Sequence, residues 1–141
     1  MPEFHYYHPI EVRYGDLDPQ GHVNNAKYLT YLETGRIAYF RNLKLWVAES
    51  FLDLGVILAD IRITFLAPIL YGQPVQVGVR VTRLGNKSLD MVHVIRDADT
   101  GKEMATGSSV LVAYDYHSGA SVSIPDEWRV KIRAFEKMSD S

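Results

Sequence analysis

Two carboxylates, a histidine and two asparagines stand close together, directly ahead of a strongly apolar segment. They are Asp16, Asp18, His22, Asn24 and Asn25. A turn that delivers a carboxylate to the N-terminus of a helix suits acyl transfer. The helix amides can stabilise an oxyanion, and the carboxylate can act as nucleophile or base. No other segment of the sequence concentrates as much polar chemistry.

The element that must position these groups is a predicted helix over residues 25–43, with Asn24 or Asn25 as its N-cap. One broad arc of this helix is apolar, which indicates that it is embedded in a core. That arc contains Tyr28, Leu29, Leu32, Gly35, Tyr39, Phe40 and Leu43, and Tyr31 and Ala38 widen it. Arg36 falls inside the arc, and Glu33, three residues earlier, is its expected ion-pair partner.

Alternating apolar and polar residues predict five strands around this helix. They span residues 5–13, 56–66, 75–83, 88–96 and 103–116. In the second strand, Ile57, Ala59, Ile61, Ile63 and Phe65 alternate with Leu58, Asp60, Arg62 and Thr64. A loop over residues 14–23 follows the first strand, with Pro19 and Gly21 as breakers.

Short turns between the later strands predict antiparallel neighbours. A short helix is expected over residues 44–53, and a last one from Pro125, carrying Trp128, Val130, Ile132 and Phe135. This order predicts an α+β fold, an antiparallel five-stranded sheet wrapped around a long central helix. The length of 141 residues predicts one domain over residues 1–141.

Composition excludes several classes of function. The formal net charge of −2 argues against nucleic-acid binding, which needs a basic surface. The absence of cysteine excludes disulfides, thiolate nucleophiles and cysteine zinc sites. The first five residues lack a signal-peptide pattern, and no apolar run approaches the ~20 residues that span a bilayer. We therefore expect a cytoplasmic protein with no membrane insertion.

The run from Val12 to Asn25, VRYGDLDPQGHVNN, continues to Tyr28 and Leu32-Glu33. It resembles the hotdog-fold acyl thioesterases, in particular the group typified by 4-hydroxybenzoyl-CoA thioesterase. Its second half is also similar to plant acyl-acyl-carrier-protein thioesterases, which have asparagine where this chain has Gln20. The predicted order of elements matches the hotdog fold over essentially the whole chain.

The resemblance implies hydrolysis of an acyl-CoA or acyl-carrier-protein thioester. Asp18 matches the nucleophile or general base of the family, and His22 matches the histidine of the plant-type motif. The turn and helix N-terminus whose amides hold the thioester carbonyl match Gly21, His22, Val23, Asn24 and Asn25. The family works as homodimers or homotetramers with sites between subunits. It uses no metal or redox cofactor, and coenzyme A enters as part of the substrate.

Further residues are expected near the substrate. The set comprises Gln20, Gly21 and Tyr28 beside Asp18, and the turn Asn86, Lys87 and Ser88 for coenzyme A phosphates. Tyr28 suits a pocket wall and equally suits plain packing. Glu33 is a possible second catalytic carboxylate, because another hotdog branch places its catalytic glutamate on this helix. Asp16 is interpreted as a structural turn carboxylate. No metal site is expected, because nothing nearby completes a ligand set around Asp16, Asp18 and His22.

Two other functions remain open from the sequence. One is a hotdog enoyl-thioester hydratase or dehydratase, which would use His22 and a carboxylate. The other is a non-catalytic acyl-thioester-binding module, which would bind its ligand without releasing thiol. The spacing from Asp18 to His22 favours hydrolysis.

Overall fold

The structure is a computed structural model that describes residues 4–45 and 55–138. Its elements are β1 (Tyr7–Ile10), a 3₁₀ turn (Tyr14–Asp16), α1 (Asn25–Asn42), β2 (Gly55–Phe65), β3 (Val75–Leu84), β4 (Ser88–Asp97), β5 (Glu103–Asp115), β6 (Ala120–Ser121) and α2 (Asp126–Glu136). The short helix predicted over residues 44–53 lies, from residue 46 onward, outside the described residues. No described helix combines the length and apolar character needed to cross a membrane.

The described strands form one antiparallel sheet in the order β1-β3-β4-β5-β2, and β6 pairs with β5. This confirms the five predicted strands and adds a short sixth. β1 is shorter than predicted because its partner β3 begins at Val75, opposite Ile10. Beyond Ile10 the chain has no strand to pair with and turns toward the loop that carries the polar residues.

α1 packs against the sheet with most of the predicted arc buried. Its buried residues are Tyr28, Tyr31, Leu32, Gly35, Arg36, Tyr39 and Phe40. The prediction was wrong at Leu29, which is 40% exposed. Closest approach to the sheet occurs at Gly35, where an added Cβ would lie 2.6 Å from Cγ1 of Val77. Arg36 is buried as the pattern placed it and pairs with Glu33 at 3.8 Å, as predicted.

β2 departs from the predicted alternation. Its register against β5 shifts between Leu58 and Asp60, so Ala59 is an extra residue in a β-bulge. Because a one-residue shift moves side chains to the other face, Leu58 shares a face with Ile61 instead of with Asp60. The partners of this face on β5 are buried. The bulge therefore turns two aliphatic side chains of β2 toward α1.

α2 is tied to α1 and β3 through one buried carboxylate. Oε2 of Glu136 accepts hydrogen bonds from the Tyr39 hydroxyl at 2.5 Å and from the Val81 N–H at 3.1 Å. Trp128 and Ile132 pack into the core. Val130 is largely exposed, because residues two apart on a helix face different sides.

Replacing Gly35 with alanine is expected to destabilise the protein by about 1–3 kcal/mol, because the new methyl group would overlap the Val77 side chain. In an open helix the same change would instead stabilise by about 1 kcal/mol. Urea unfolding measures the difference. Gly15→Ala is the control, since a Cβ there meets nothing within 4 Å. A Gly35→Ala protein at least as stable as the wild type would contradict this close approach.

Candidate functional site

Asp18 lies on a small hairpin between Leu17 and Val23, which form an antiparallel bridge. The Asp18 N–H donates to the His22 carbonyl at 2.8 Å, and the Gly21 N–H donates to the Asp18 carbonyl at 3.0 Å. Gly21 has a φ of +82°, a conformation that glycine adopts without steric cost. The turn residues of the sequence therefore fix the backbone that carries the Asp18 carboxylate.

The carboxylate of Asp18 is held through one of its two oxygens. Oδ1 accepts hydrogen bonds from the N–H groups of Gln20 at 2.9 Å and His22 at 3.3 Å. Within the described part of the chain, no donor contacts Oδ2, and the residue is half-buried. A carboxylate fixed on one side and open on the other can attack a carbonyl carbon or accept a proton from water.

Of the five amides of residues 21–25 that were expected to hold a carbonyl, four are hydrogen-bonded within the chain, and those of Gly21 and His22 bond Asp18 as described above. The Val23 N–H donates to the Ile69 carbonyl at 2.8 Å, and the Asn24 N–H donates to the Asp16 carbonyl at 2.8 Å. Among the residues that the structure describes, none accepts a hydrogen bond from the Asn25 N–H. Among the amides of residues 21–25, that of Asn25 is therefore the one without an acceptor in the described part of the chain.

The side chain of Asn24 caps α1. Its Oδ1 accepts a hydrogen bond from the Ala26 N–H at 2.9 Å, so Asn24 is the N-cap of the two candidates. The cap satisfies one of the amides that every helix N-terminus leaves without an intrahelical partner. It also fixes the first turn of α1 immediately after the hairpin.

Asp16 is a buried structural carboxylate, as predicted. Its Oδ2 accepts hydrogen bonds from the Tyr31 hydroxyl at 2.7 Å and the Arg13 N–H at 3.1 Å, and its Oδ1 accepts one from Nη2 of Arg13 at 3.1 Å. Burial raises the pKa of Asp16, but the hydrogen bonds from Tyr31 and Arg13 outweigh burial and leave this pKa below its ordinary range. Asp16 therefore accepts these hydrogen bonds as a carboxylate, and it anchors the loop to α1.

The connection between β2 and β3 forms a second wall of the site that the sequence analysis did not assign. Leu70 bridges to His22, and Leu66, Leu70 and Tyr71 are at least half exposed. Tyr71 packs edge-on against Tyr14, with ring centroids 6.2 Å apart. The signal was a run of apolar residues in a turn region. An exposed apolar surface beside a carboxylate suits an acyl chain or a protein partner.

Tyr28 is a packing residue in this structure. It is 2% exposed, its hydroxyl donates to the Ala67 carbonyl at 3.1 Å, and its ring packs edge-on against Phe65 at 5.1 Å. The structure thus favours the packing alternative over direct contact with substrate. Gln20 and Gly21 are exposed at the hairpin.

The turn of Asn86, Lys87 and Ser88 lies far from Asp18. The connection that contacts the hairpin leads into the start of β3, and this turn follows the end of that strand, about 30 Å away along ten residues. The Asn86 carbonyl accepts a hydrogen bond from Arg129 at 2.8 Å, and Oγ of Ser88 accepts one from Arg83 at 3.1 Å. Within a single chain, this turn and Asp18 therefore do not lie side by side.

Glu33 does not lie near Asp18 within one chain. Glu33 is exposed and lies eight residues along α1 from Asn25, about 12 Å from the helix start. Glu33 and Asp18 therefore do not form a carboxylate pair within one chain. Across residues 4–45 and 55–138, no group of three histidine, aspartate or glutamate side chains is arranged to hold a metal ion.

Replacing Asp16 with asparagine is expected to cost about 2 kcal/mol of unfolding free energy at neutral pH, because it removes charge-assisted hydrogen bonds from a buried site. The folded-state pKa of Asp16 is lowered. The contribution of ionised Asp16 to the unfolding free energy is therefore fully present at pH values above the ordinary pKa of a carboxyl group. It is lost as the pH falls through the folded-state pKa. The difference in unfolding free energy between wild type and variant should become smaller below about pH 4.

Urea unfolding at several pH values measures this gap. Asp99→Asn, at an exposed turn position, is the control and should show little difference at any pH. A gap between wild type and Asp16→Asn that stays constant down to pH 3 would rule out the assigned role of the Asp16 charge.

Comparison with known proteins now adds the family. The chain matches the thioesterase-like superfamily over residues 12–132. The long-chain acyl-CoA thioesterase FadM of Escherichia coli strain K12 is 25% identical over 128 residues, which cover 91% of this chain and 97% of FadM.

Solved structures agree over nearly the whole length. A thioesterase of Thermus thermophilus complexed with coenzyme A and Zn has a TM-score of 0.81 and 39% identity, covering 97% of this chain and 98% of its own. The PA5185 protein of Pseudomonas aeruginosa strain PAO1 has a TM-score of 0.86 and 26% identity, covering 94% and 92%. This chain therefore has the hotdog fold and belongs to the thioesterase-like superfamily.

Proposed function

We propose that this protein hydrolyses an acyl-CoA thioester to the free acid and coenzyme A, as a member of the group typified by 4-hydroxybenzoyl-CoA thioesterase. The observation that carries the proposal is the Asp18 carboxylate, fixed by two amides on one oxygen and open on the other. Family membership supports thioester hydrolysis. The name of FadM and the coenzyme A complex of the Thermus thermophilus relative support acyl-CoA as the thioester.

In the proposed reaction the thioester carbonyl oxygen lies at the N-terminus of α1. The Asn25 N–H and the positive end of the helix dipole stabilise the oxyanion that develops there. Oδ2 of Asp18 either attacks the carbonyl carbon, giving an anhydride that water then cleaves, or takes a proton from an attacking water. Both routes release the acid and the thiol. His22, at the end of the hairpin, orients the substrate or protonates the leaving thiolate.

The proposed active form is a homodimer or a dimer of dimers, joined through β2. β2 is an edge strand of 11 residues that pairs with β5 on one side, and no described strand pairs with its other side. Long apolar edges are normally covered in native proteins. Large apolar side chains are exposed along it at Ile57, Leu58 and Phe65. A second copy of the chain would cover this edge.

Asp18→Asn is expected to lower kcat by about 10²–10⁴-fold, because it removes the nucleophile or general base. The assay follows thiol release from acyl-CoAs with short, medium and long aliphatic chains, benzoyl-CoA and phenylacetyl-CoA. Asp99→Asn, an exposed carboxylate on the β4–β5 turn, is the matched control and should retain wild-type turnover.

The same panel separates the alternatives. Near-wild-type turnover in a folded Asp18→Asn protein would contradict the role of Asp18 as nucleophile or general base. Water addition to an enoyl-CoA without thiol release would instead identify a hydratase. Tight binding of acyl-CoA without any product would identify a binding module.

Ile57→Lys is expected to weaken association between copies, because it places a charge on the apolar edge that a second copy would cover. Light scattering during dilution should show the variant dissociating at a higher protein concentration than the wild type. Val130→Lys is the control, since Val130 is a large exposed apolar residue on α2, away from β2. A monomeric wild type, or equal dissociation of both variants, would contradict an interface at β2.

A further inference from the structure

α1 carries a buried arginine with few partners. Arg36 is 7% exposed, and its ion-pair contact is Oε2 of Glu33 at 3.8 Å, which is too long for a hydrogen bond. In the described part of the chain, no acceptor lies within hydrogen-bond distance of its guanidinium. A guanidinium keeps its charge and its five N–H donors in a protein. No nitrogen of Arg36 is among the fully buried polar atoms that lack a partner. Its donors reach the groove that Arg36 lines, where an oxygen can accept from them.

On its interior side, Arg36 has no negatively charged neighbour among the described residues. His93 on β4 and Ser109 on β5 are buried and share a hydrogen bond between Nε2 and Oγ at 3.0 Å. Nδ1 of His93 has no partner among the described residues. Burial, together with the charge of Arg36, lowers the pKa of His93 to about 3, so its ring is neutral near pH 7. The positive charge therefore faces Glu33 at the surface and two neutral groups in the interior.

Arg36 lines a groove of about 180 Å³ between α1 and β2. The other lining residues are Leu29, Thr30, Glu33, Leu58 and Ile61. The bulge at Ala59 is what turns the two aliphatic residues of β2 into this groove. Its volume is comparable to the ~150 Å³ cavity that accommodates benzene in an engineered protein. The groove is therefore large enough for a ring or several methylene groups.

The groove extends along α1 away from the proposed reaction site. Leu29 follows Asn25 by about one helical turn, and Arg36 follows Asn25 by eleven residues, or about 16 Å along the helix axis. An extended chain with its carbonyl at Asn25 that follows the groove would bring its far end to Arg36. The aliphatic walls suit methylene groups, and the guanidinium suits an oxygen at the end of the chain.

We propose that this groove binds the far end of the acyl chain and selects chains that end in a carboxylate. The proposal rests on the proposed thioesterase function and adds a substrate class to it. Charge complementarity identifies the occupant, because Arg36 presents unbonded donors to a groove whose remaining lining is aliphatic except for Thr30 and Glu33. A carboxylate can accept two parallel hydrogen bonds from one guanidinium. A methyl terminus would leave those donors without acceptors.

The test compares acyl-CoAs in pairs of equal chain length, one ending in methyl and the other in carboxylate, from butanoyl and succinyl up to hexadecanoyl and hexadecanedioyl. For the wild type, kcat/KM is expected to favour the carboxylate member by about tenfold or more at lengths that span the groove, because the added contact is charge-assisted. Shorter pairs should show no such preference.

Arg36→Met retains a long side chain and removes the charge, so the preference should disappear or reverse. Arg41→Met, at an exposed position on the same helix, is the matched control and should keep the wild-type ratio. A purely structural Arg36 would lower both members of a pair equally and leave their ratio unchanged. A ratio that survives Arg36→Met overturns the proposal, as does a wild type without preference at every length, whether or not the variant folds.

Failure of the proposed function gives a different result, in which no acyl-CoA is hydrolysed. Calorimetric binding of free octanoate and of 1-octanol to the wild type and to Arg36→Met then decides the groove by itself, because only octanoate carries a carboxylate. Preferential binding of octanoate that is lost in Arg36→Met supports the selection. Equal binding of the two compounds to the wild type overturns it.

Discussion

The site depends on the burial of one carboxylate, that of Asp16. Taking a carboxylate out of water costs several kcal/mol unless hydrogen bonds replace the lost solvation. Tyr31 from the second turn of α1 and Arg13 from the preceding segment supply those bonds. The carbonyl of the same residue accepts the Asn24 N–H. Asp16 therefore connects the segment before the hairpin, the segment after it and α1. The position of Asp18 relative to the N-terminus of α1 is thus fixed by groups that take no part in the proposed reaction.

Residues close together in the sequence determine much of this arrangement, and hydrogen bonding between distant segments determines the remainder. Neighbouring residues determine the hydrophobic patterns of α1 and the strands, the turn at Gly21 and the Asn24 N-cap. The patterns and the turn were predicted, and Asn24 was one of the two predicted N-cap candidates. The bulge at Ala59 was not predicted, because it depends on the register against β5, which the alternation in β2 does not encode. The bonding of the Val23 amide likewise depends on a carbonyl from residue 69, so the motif could not show which amides stay open.

The same distinction applies to the predicted site residues that lie far from Asp18 within one chain. Residue types indicate possible chemistry, but only the sheet order shows which strand ends meet. Lys87 and its neighbours offer groups that suit phosphate, yet they follow the end of β3, while the hairpin that carries Asp18 contacts the segment before the start of β3. The wall around Leu70 has no polar chemistry to draw attention to it, although it bridges directly to His22. A motif search therefore locates the carboxylate and misses the apolar wall beside its hairpin.

Two buried charges, Asp16 in the 3₁₀ turn and Arg36 on α1, show how structural and binding roles differ physically. Asp16 receives three hydrogen bonds from within the described chain, so its burial is compensated by the fold and leaves nothing to offer a ligand. Arg36 is nearly as buried, yet its nearest opposite charge is Glu33 at 3.8 Å. Its guanidinium opens into the groove where the bulge in β2 turns aliphatic side chains toward α1. Its donors are therefore available to an acceptor that enters this groove, whereas the oxygens of Asp16 are already bonded within the chain.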